Sequence, residues 1–240
     1  MNDPVIVIGA TGGVGSALAR RLRAMGHGLH LVARDPGRLA ALANEFEASH
    51  AVADAMDPEA LAEAVALAGP RVAGLAYCVG SIVMKPLARA TVADFVDAFR
   101  LNAVGAALAV GAAQGALRAA GGSVVLFSTV AARAGFPNHT VIAAAKGAVE
   151  GLTVSLAAEL APSVRVNAIA PSLTRTAIAA PLTENAAMAR AIAAQHPIPR
   201  LGEAGDIAAM AAFLLSPEAG WITGQVIAVD GGRSTLRGKG

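Results

Sequence analysis

The sequence predicts an α/β protein: one parallel, doubly wound sheet of seven strands with helices on both faces. Three observations carry this. Strand-like and helix-like runs alternate along all 240 residues. The strand-like runs are apolar throughout, as strands covered on both faces are. No proline-rich linker, repeat or low-complexity tract divides the chain, so one domain is expected over 1–240. Ligands of such sheets bind beyond the carboxyl ends of the strands, near the switch in strand order.

Val5–Ile8 is a β-branched run long enough for a buried strand. It opens into a glycine-rich turn, Gly9 through Thr11, Gly12, Gly13, Val14 and Gly15. Val14, Leu18 and Leu22 then continue as an amphipathic helix that closes at Gly26. A strand that leaves a glycine turn as a helix aims backbone N–H groups and the positive helix end at one spot. Such a spot attracts phosphate, and glycine lets a pyrophosphate approach the backbone without Cβ clashes. The spacing reads as Gly9-x-x-x-Gly13-x-Gly15 or Gly9-x-x-Gly12-x-x-Gly15, not as the G-x-G-x-x-G dinucleotide fingerprint. With a strand before and a helix after, we expect a dinucleotide here.

Further strands are expected at Leu29–Ala33, His50–Ala53, Val72–Val79, Ser123–Phe127, Val164–Ile169 and Gln225–Val229. Helices are expected at Pro36–Glu47, after Asp57-Pro58, over Thr91–Arg118, at Thr140–Leu160 and at Glu203–Leu215. The strand ends then offer Gly9, Arg34, Asp54, Cys78–Gly80, Ser128–Thr129 and Pro171–Thr176. Arg34 stands where an acidic residue would accept from an adenosine ribose, and a guanidinium there suits a 2′-phosphate instead. NADP is therefore favoured over NAD. Asp35 either undercuts this or caps the helix that begins at Pro36. Asp54 suits an adenine amino group or a plain turn.

Composition narrows the function. Apolar residues make up 55% and charged ones 15%, which argues against disorder, and alanine carries much of the hydrophobicity. No run approaches the roughly 18 uncharged apolar residues of a membrane span. Alanine on helix faces allows close packing, part of it between subunits. Nineteen basic and 17 acidic residues leave +2, too little and too scattered for nucleic acid. Cys78 is the sole cysteine, so no internal disulfide forms, and the five histidines show no metal-ligand spacing. The Met-Asn-Asp-Pro start has no basic region or apolar signal segment, so a cytoplasmic protein is expected.

The glycine turn, Asp54, Gly80, Leu101-Asn102-Ala-Val-Gly105, Ser128-Thr129, Lys146-Gly-Ala-Val-Glu-Gly151, Val166-Asn167-Ala-Ile-Ala-Pro171 and Val229-Asp230-Gly231-Gly232 follow one another from Val5 to Gly232. In their order and spacing the chain resembles the short-chain dehydrogenase/reductase family. The resemblance implies a Rossmann fold, a nicotinamide cofactor, and hydride transfer to or from a carbonyl or alcohol. It also implies a homotetramer or homodimer, with the last strand and its Asp-Gly-Gly tail at a subunit interface. Lys146 would hold the nicotinamide ribose, Asn102 would distort its helix and order a water beside the lysine, and Thr129 would orient the substrate oxygen. Pro171–Pro199 resembles the loop that covers the substrate. There Pro171 and Thr174 would meet the cofactor carboxamide, and Ile178, Leu182, Met188 and Ile192 would offer an apolar wall.

The departures are chemical. The family's tyrosine, four residues before the lysine, is Ile142, and the serine thirteen residues earlier is Thr129. The Pro-Gly that follows the sixth strand in the family is Pro171-Ser172. A carbonyl that accepts hydride must also take a proton. The family's phenol, of reference pKa about 10, gives one with help from the lysine ammonium. Isoleucine gives none. His139 lies seven residues before Lys146, the spacing at which the enoyl-thioester reductases of this family place their tyrosine. If the helix already runs at His139, it shares a face with Ile142 and Lys146. An imidazole is a competent acid near neutral pH; the alternative is an exposed residue at a helix start. The sequence thus points to an NADP-dependent oxidoreductase of small carbonyls, alcohols or activated alkenes, with His139 or water at Asn102 as proton source. The alternative is a cofactor-binding sensor or partner subunit without turnover.

Overall fold

In the computed structural model, which describes residues 3–236, Val5–Ile8 forms β1, the strand on which the molecule is built. All four residues are buried, and they alternate between two apolar layers. Ile6 and Ile8 face one layer, Val5 and Val7 the other. At roughly 1.5–3 kcal/mol for each large apolar side chain fully buried, two such layers dominate the folding energy.

The strands are β1, β2 (Leu29–Ala33), β3 (Ser49–Val52), β4 (Gly74–Tyr77), β5 (Ser123–Phe127), β6 (Arg165–Pro171), β7 (Thr174–Arg175), β8 (Gly202–Glu203) and β9 (Val226–Val229). Seven make one parallel sheet in the order β3-β2-β1-β4-β5-β6-β9, and β7 with β8 pair separately. The order reverses between β1 and β4, and a crevice at their carboxyl ends follows from it. The expected seven-stranded, doubly wound sheet is present, its strands within a few residues of their expected bounds.

The longer helices are α1 (Gly13–Ala24), α2 (Pro36–Phe46), α3 (Pro58–Ala66), α4 (Val92–Phe99), α5 (Gly105–Ala120), α6 (Thr140–Leu160), α7 (Ala180–Thr183), α8 (Ala186–Ala193) and α9 (Ala204–Leu215). Local chemistry starts several of them. The Asp35 carboxylate accepts from Arg38 N–H ahead of Pro36, and Asp57 accepts from Glu59 and Ala60 N–H ahead of Pro58. Thr91 and Asp94 form a capping box on α4.

Two expectations change. The single helix expected over Thr91–Arg118 is two, joined by a wider π-type turn at Arg100–Val104. Asn102 sits in that turn, and its Nδ2 donates to Ala98 O at 2.8 Å, taking a carbonyl the helix ladder would use. The Pro171–Pro199 stretch is not merely irregular. It holds α7 and α8, the latter started by Asn185, which accepts from Ala187 and Met188 N–H.

Val92–Ala120 and Thr140–Leu160 are long and apolar enough, by length and composition alone, to cross a membrane. Here they pack on the sheet: Ala106, Ala109, Val110, Ala113 and Leu117 of α5, with Val149, Ala157 and Leu160 of α6, belong to the core. The Met1-Asn2 start, on which the cytoplasmic expectation rests in part, lies outside the described residues.

Candidate active site

One cleft of about 1290 Å³ opens over the carboxyl ends of the strands. Its walls carry all but two of the positions that sequence reasoning assigned to cofactor or chemistry; among them are Thr11, Arg34, Asp54, Thr129, His139 and Lys146. The two, Asn102 and Gly15, stand behind that wall.

At its phosphate end the glycine turn is fixed by close packing. Gly9 has φ +80°, and a Cβ there would stand 3.0 Å from Cys78 C and O. A Cβ on Gly15 would collide with the Gly9 carbonyl, and one on Gly13 would lie 2.8 Å from Thr176 Cγ2. The first turn of α1 carries no acidic residue, and no side chain caps it. Its leading N–H groups therefore remain available to an anion. Such a cradle, which any side chain would fill, fits a dinucleotide pyrophosphate.

At the adenosine end, Asp35 caps α2 through Oδ1, as one of the two sequence readings had it, and also lines the cleft. Arg34 lines the cleft and enters no ion pair among the described residues. Arg38, which sequence reasoning passed over, lines it too, its Nη2 donating to Thr11 O at 2.7 Å. Its spacing of one helical turn from Arg34 was the available signal. Asp54 serves its turn, Oδ1 accepting from Met56 N–H at 2.9 Å, while its side chain still faces the cleft.

At the chemical end, Lys146 is 7% exposed and donates from Nζ to Phe127 O at 2.7 Å. Burial lowers its pKa to about 8. Asn102 is 1% exposed, and its Oδ1 has no partner among the described residues. A Cβ on Gly80 would stand 3.0 Å from that oxygen and 3.2 Å from Lys146 Nζ. Gly80 is therefore glycine because the amide and the ammonium converge on it. The orphaned acceptor fits a group that donates to it, a water or a ribose hydroxyl.

The hydroxyls separate cleanly. Ser128 Oγ donates to Glu150 Oε1 at 2.9 Å, and that carboxylate also takes Arg133 Nε at 2.7 Å. Thr129 Oγ1 makes only long contacts, 3.4 Å to Pro171 O and 3.3 Å from Ala131 N–H. It is the looser hydroxyl of the two. Ile142 is buried one turn before Lys146 and presents hydrocarbon to the cleft. Tyr77 gives no replacement: its hydroxyl donates to Leu101 O at 2.7 Å, and burial, with Asp54 nearby, pushes its pKa up.

His139 stands just ahead of α6 rather than inside it. The face it was expected to share with Ile142 and Lys146 is thus not a helical one, although all three line the cleft. Its Nδ1 donates to Pro137 O at 2.7 Å, and its ring tilts against Phe136. Among the loop residues, Ile178, Leu182 and Ile192 line the cleft, while Met188 is exposed to solvent. Thr174 is buried with Oγ1 donating to Ser172 O, and Thr176 is the threonine against the glycine turn.

A glycine cradle at the end of β1, a buried lysine at the end of the same cleft and this strand order define a Rossmann-type dinucleotide site. The chain belongs to the short-chain dehydrogenase/reductase family of oxidoreductases. A family model described as enoyl-(acyl carrier protein) reductase matches residues 9–234. A tropinone reductase homolog of Arabidopsis thaliana is 31% identical over 95% of this chain and 90% of its own. The structure of a short-chain type dehydrogenase/reductase from Mycobacterium ulcerans superposes with TM-score 0.91 at 34% identity, covering 99% of this chain and 92% of that one. A single-substitution variant of actinorhodin polyketide ketoreductase with NADPH superposes with TM-score 0.92 at 25% identity over 98% of each chain.

Proposed function

We propose that the protein is an NADP-dependent oxidoreductase of a carbonyl/alcohol or enoyl substrate, working without the family's tyrosine. One observation carries this reading: the glycine cradle, the two cleft-lining guanidinium groups and Lys146, with Asn102 behind it, are gathered at the same cleft. Main-chain N–H groups of Gly13–Gly15 hold the pyrophosphate, with Gly9, Thr11 and Gly12 shaping the turn through the Gly12 N–H to Gly9 O bond. Arg34, with Arg38 beside it, takes the 2′-phosphate, and Asp54 the adenine. Gly80, Lys146, Pro171 and the Thr174–Thr176 segment hold the nicotinamide end, where a bound nicotinamide supplies hydride chemistry. Thr129 orients the substrate oxygen, and the apolar wall of Ile142, Ile178, Leu182 and Ile192 favours a largely apolar substrate. The polyketide ketoreductase with NADPH supports the cofactor, and the enoyl reductase description supports including activated alkenes.

Val92, Val96, Phe99 and Val154 are exposed on α4 and α6, and we assign that apolar surface to a homodimer or homotetramer interface. The protein acts in the cytoplasm on this reading.

The test is a fluorescence titration with NADPH, followed by NADPH oxidation against ketones and enoyl thioesters, with Lys146→Ala and His139→Ala alongside. Binding with turnover that Lys146→Ala suppresses is expected. Turnover unchanged by His139→Ala removes the histidine from the chemistry. Tight binding without turnover of any substrate identifies a sensor or partner subunit instead.

A further inference from the structure

Ser172 replaces the glycine that follows the proline of this loop in the family, and its hydroxyl is not idle. Ser172 Oγ lies 2.8 Å from Nε2 of His196, and His196 Nδ1 lies 2.9 Å from Ile192 O. A carbonyl only accepts, so Nδ1 carries the ring proton. In the neutral ring Nε2 is then an acceptor, and Ser172 donates to it. His196 is 4% exposed, so this is a buried pair with its tautomer fixed. Both residues line the cleft that holds Lys146 and Ile142. Ser172 directly follows Pro171, whose carbonyl contacts the Thr129 hydroxyl, and both Ser172 and Thr129 line the cleft.

Resting on the oxidoreductase reading, we propose that Ser172 and His196 form the proton relay that stands in for the missing phenol. In alcohol oxidation the substrate O–H bond breaks as an O–H bond forms at Ser172, while the former Ser172 proton moves to His196 Nε2. Carbonyl reduction runs the same two transfers backwards. The relay is redox-neutral; the hydride half of the reaction belongs to the nicotinamide. Asp230 bears on His196 through its charge alone, with no ion pair between the two among the described residues. Burial works against ionisation of Asp230, but donation from Ser234 and Gly232, with His196 nearby, holds its carboxyl below the usual range. The other charges facing this corner are Arg200 and Asp206, paired to each other at 2.6 Å, and Arg233, tied to Gln195.

The experiment has two arms on the full-length protein. Long-range 1H–15N spectra report the histidine ring nitrogens with and without NADPH. The relay requires the Nδ1–H tautomer at His196, with an Nε2 signal that moves in Ser172→Ala; an Nε2–H tautomer overturns it whatever the turnover. In NADPH oxidation with the best ketone, Ser172→Ala and His196→Gln should each lower kcat by about 100-fold, the range for a positioned acid. KM and cofactor affinity should stay put, the double variant should be no worse than either single one, and Ser172→Thr should restore most activity. Undiminished kcat in Ser172→Ala overturns the relay and leaves the oxidoreductase standing. A wild type that binds NADPH and turns nothing over sinks both.

Discussion

At the phosphate end of the cleft the groups offered to a ligand are main-chain N–H groups, set by the path of the glycine turn over Cys78 and Thr176. At the chemical end they are side chains: Lys146, Thr129 and a hydrocarbon residue where a phenol would stand, with Asn102 behind them. The first end is fixed by backbone shape, so a sequence keeps it so long as no Cβ intrudes. The second depends on single functional groups, and one substitution there rewrites the chemistry while the fold stays put. Ile142 is buried like the core residues around it, at 4% exposure.

That contrast is broken most directly by giving the phenol back. Ile142→Tyr, made in the Ser172→Ala background, should raise ketone reduction by about 10²–10⁴-fold, the usual worth of a positioned general acid. NADPH affinity should be unchanged in a fluorescence titration. A folded, NADPH-binding variant with no gain would mean that the chemical end differs by more than one side chain.

Lys146 tests the same end through stability. Its burial holds the amine near 8 against an ordinary 10.5, a penalty on the charged form of about 3 kcal/mol at 1.36 kcal/mol per unit. Below pH 8 the folded, cofactor-free protein carries that cost in full. Between pH 8 and about 10.5 the unfolded chain keeps a proton the folded chain has released, so stability rises with pH. Lys146→Met should therefore be more stable than wild type at pH 7, by up to about 3 kcal/mol, with the gap closing above pH 8. Urea denaturation at about pH 7 and pH 10 measures it; a constant gap would place the ammonium in contact with water.

The phosphate end should fail in the opposite manner. Gly15→Ala forces the turn away from Gly9, an overpacking of about 1–3 kcal/mol. It should weaken NADPH and NADH alike, up to about 100-fold by titration. Unaltered affinity for both would show that the turn does not hold the pyrophosphate.

What was legible in the sequence divides along the same line. The sheet was readable because every strand is a continuous apolar run, and the glycine turn because strand, glycines and helix adjoin. The break at Asn102 was hinted at by a poor helix former inside a helical run, but its position as a π-type turn depends on Ala98 O and on packing that no local pattern encodes. Ser172 and His196 were hidden for a plainer reason: 24 residues and two helices separate them, and only the folded loop joins them. Arg38 escaped because its worth depends on Asp35 being occupied elsewhere.

That occupation sets the finest prediction. With Oδ1 of Asp35 engaged by Arg38 N–H, the corner beyond β2 presents two guanidinium groups, one of them anchored on Thr11 O. A charge-assisted hydrogen bond to phosphate contributes roughly twice a neutral one, so losing Arg34 should cost NADPH about tenfold in affinity. NADH, which carries a 2′-hydroxyl at that place, should lose almost nothing. Arg38→Ala should act the same way but also loosen the glycine turn through Thr11, so it should weaken both cofactors, NADPH more. Titrations of the two cofactors at low and high salt separate these effects, because the phosphate term is screened and the turn is not. Equal losses of NADPH and NADH in Arg34→Ala would show that this corner does not read the 2′ position, and the preference for NADP would fall with it.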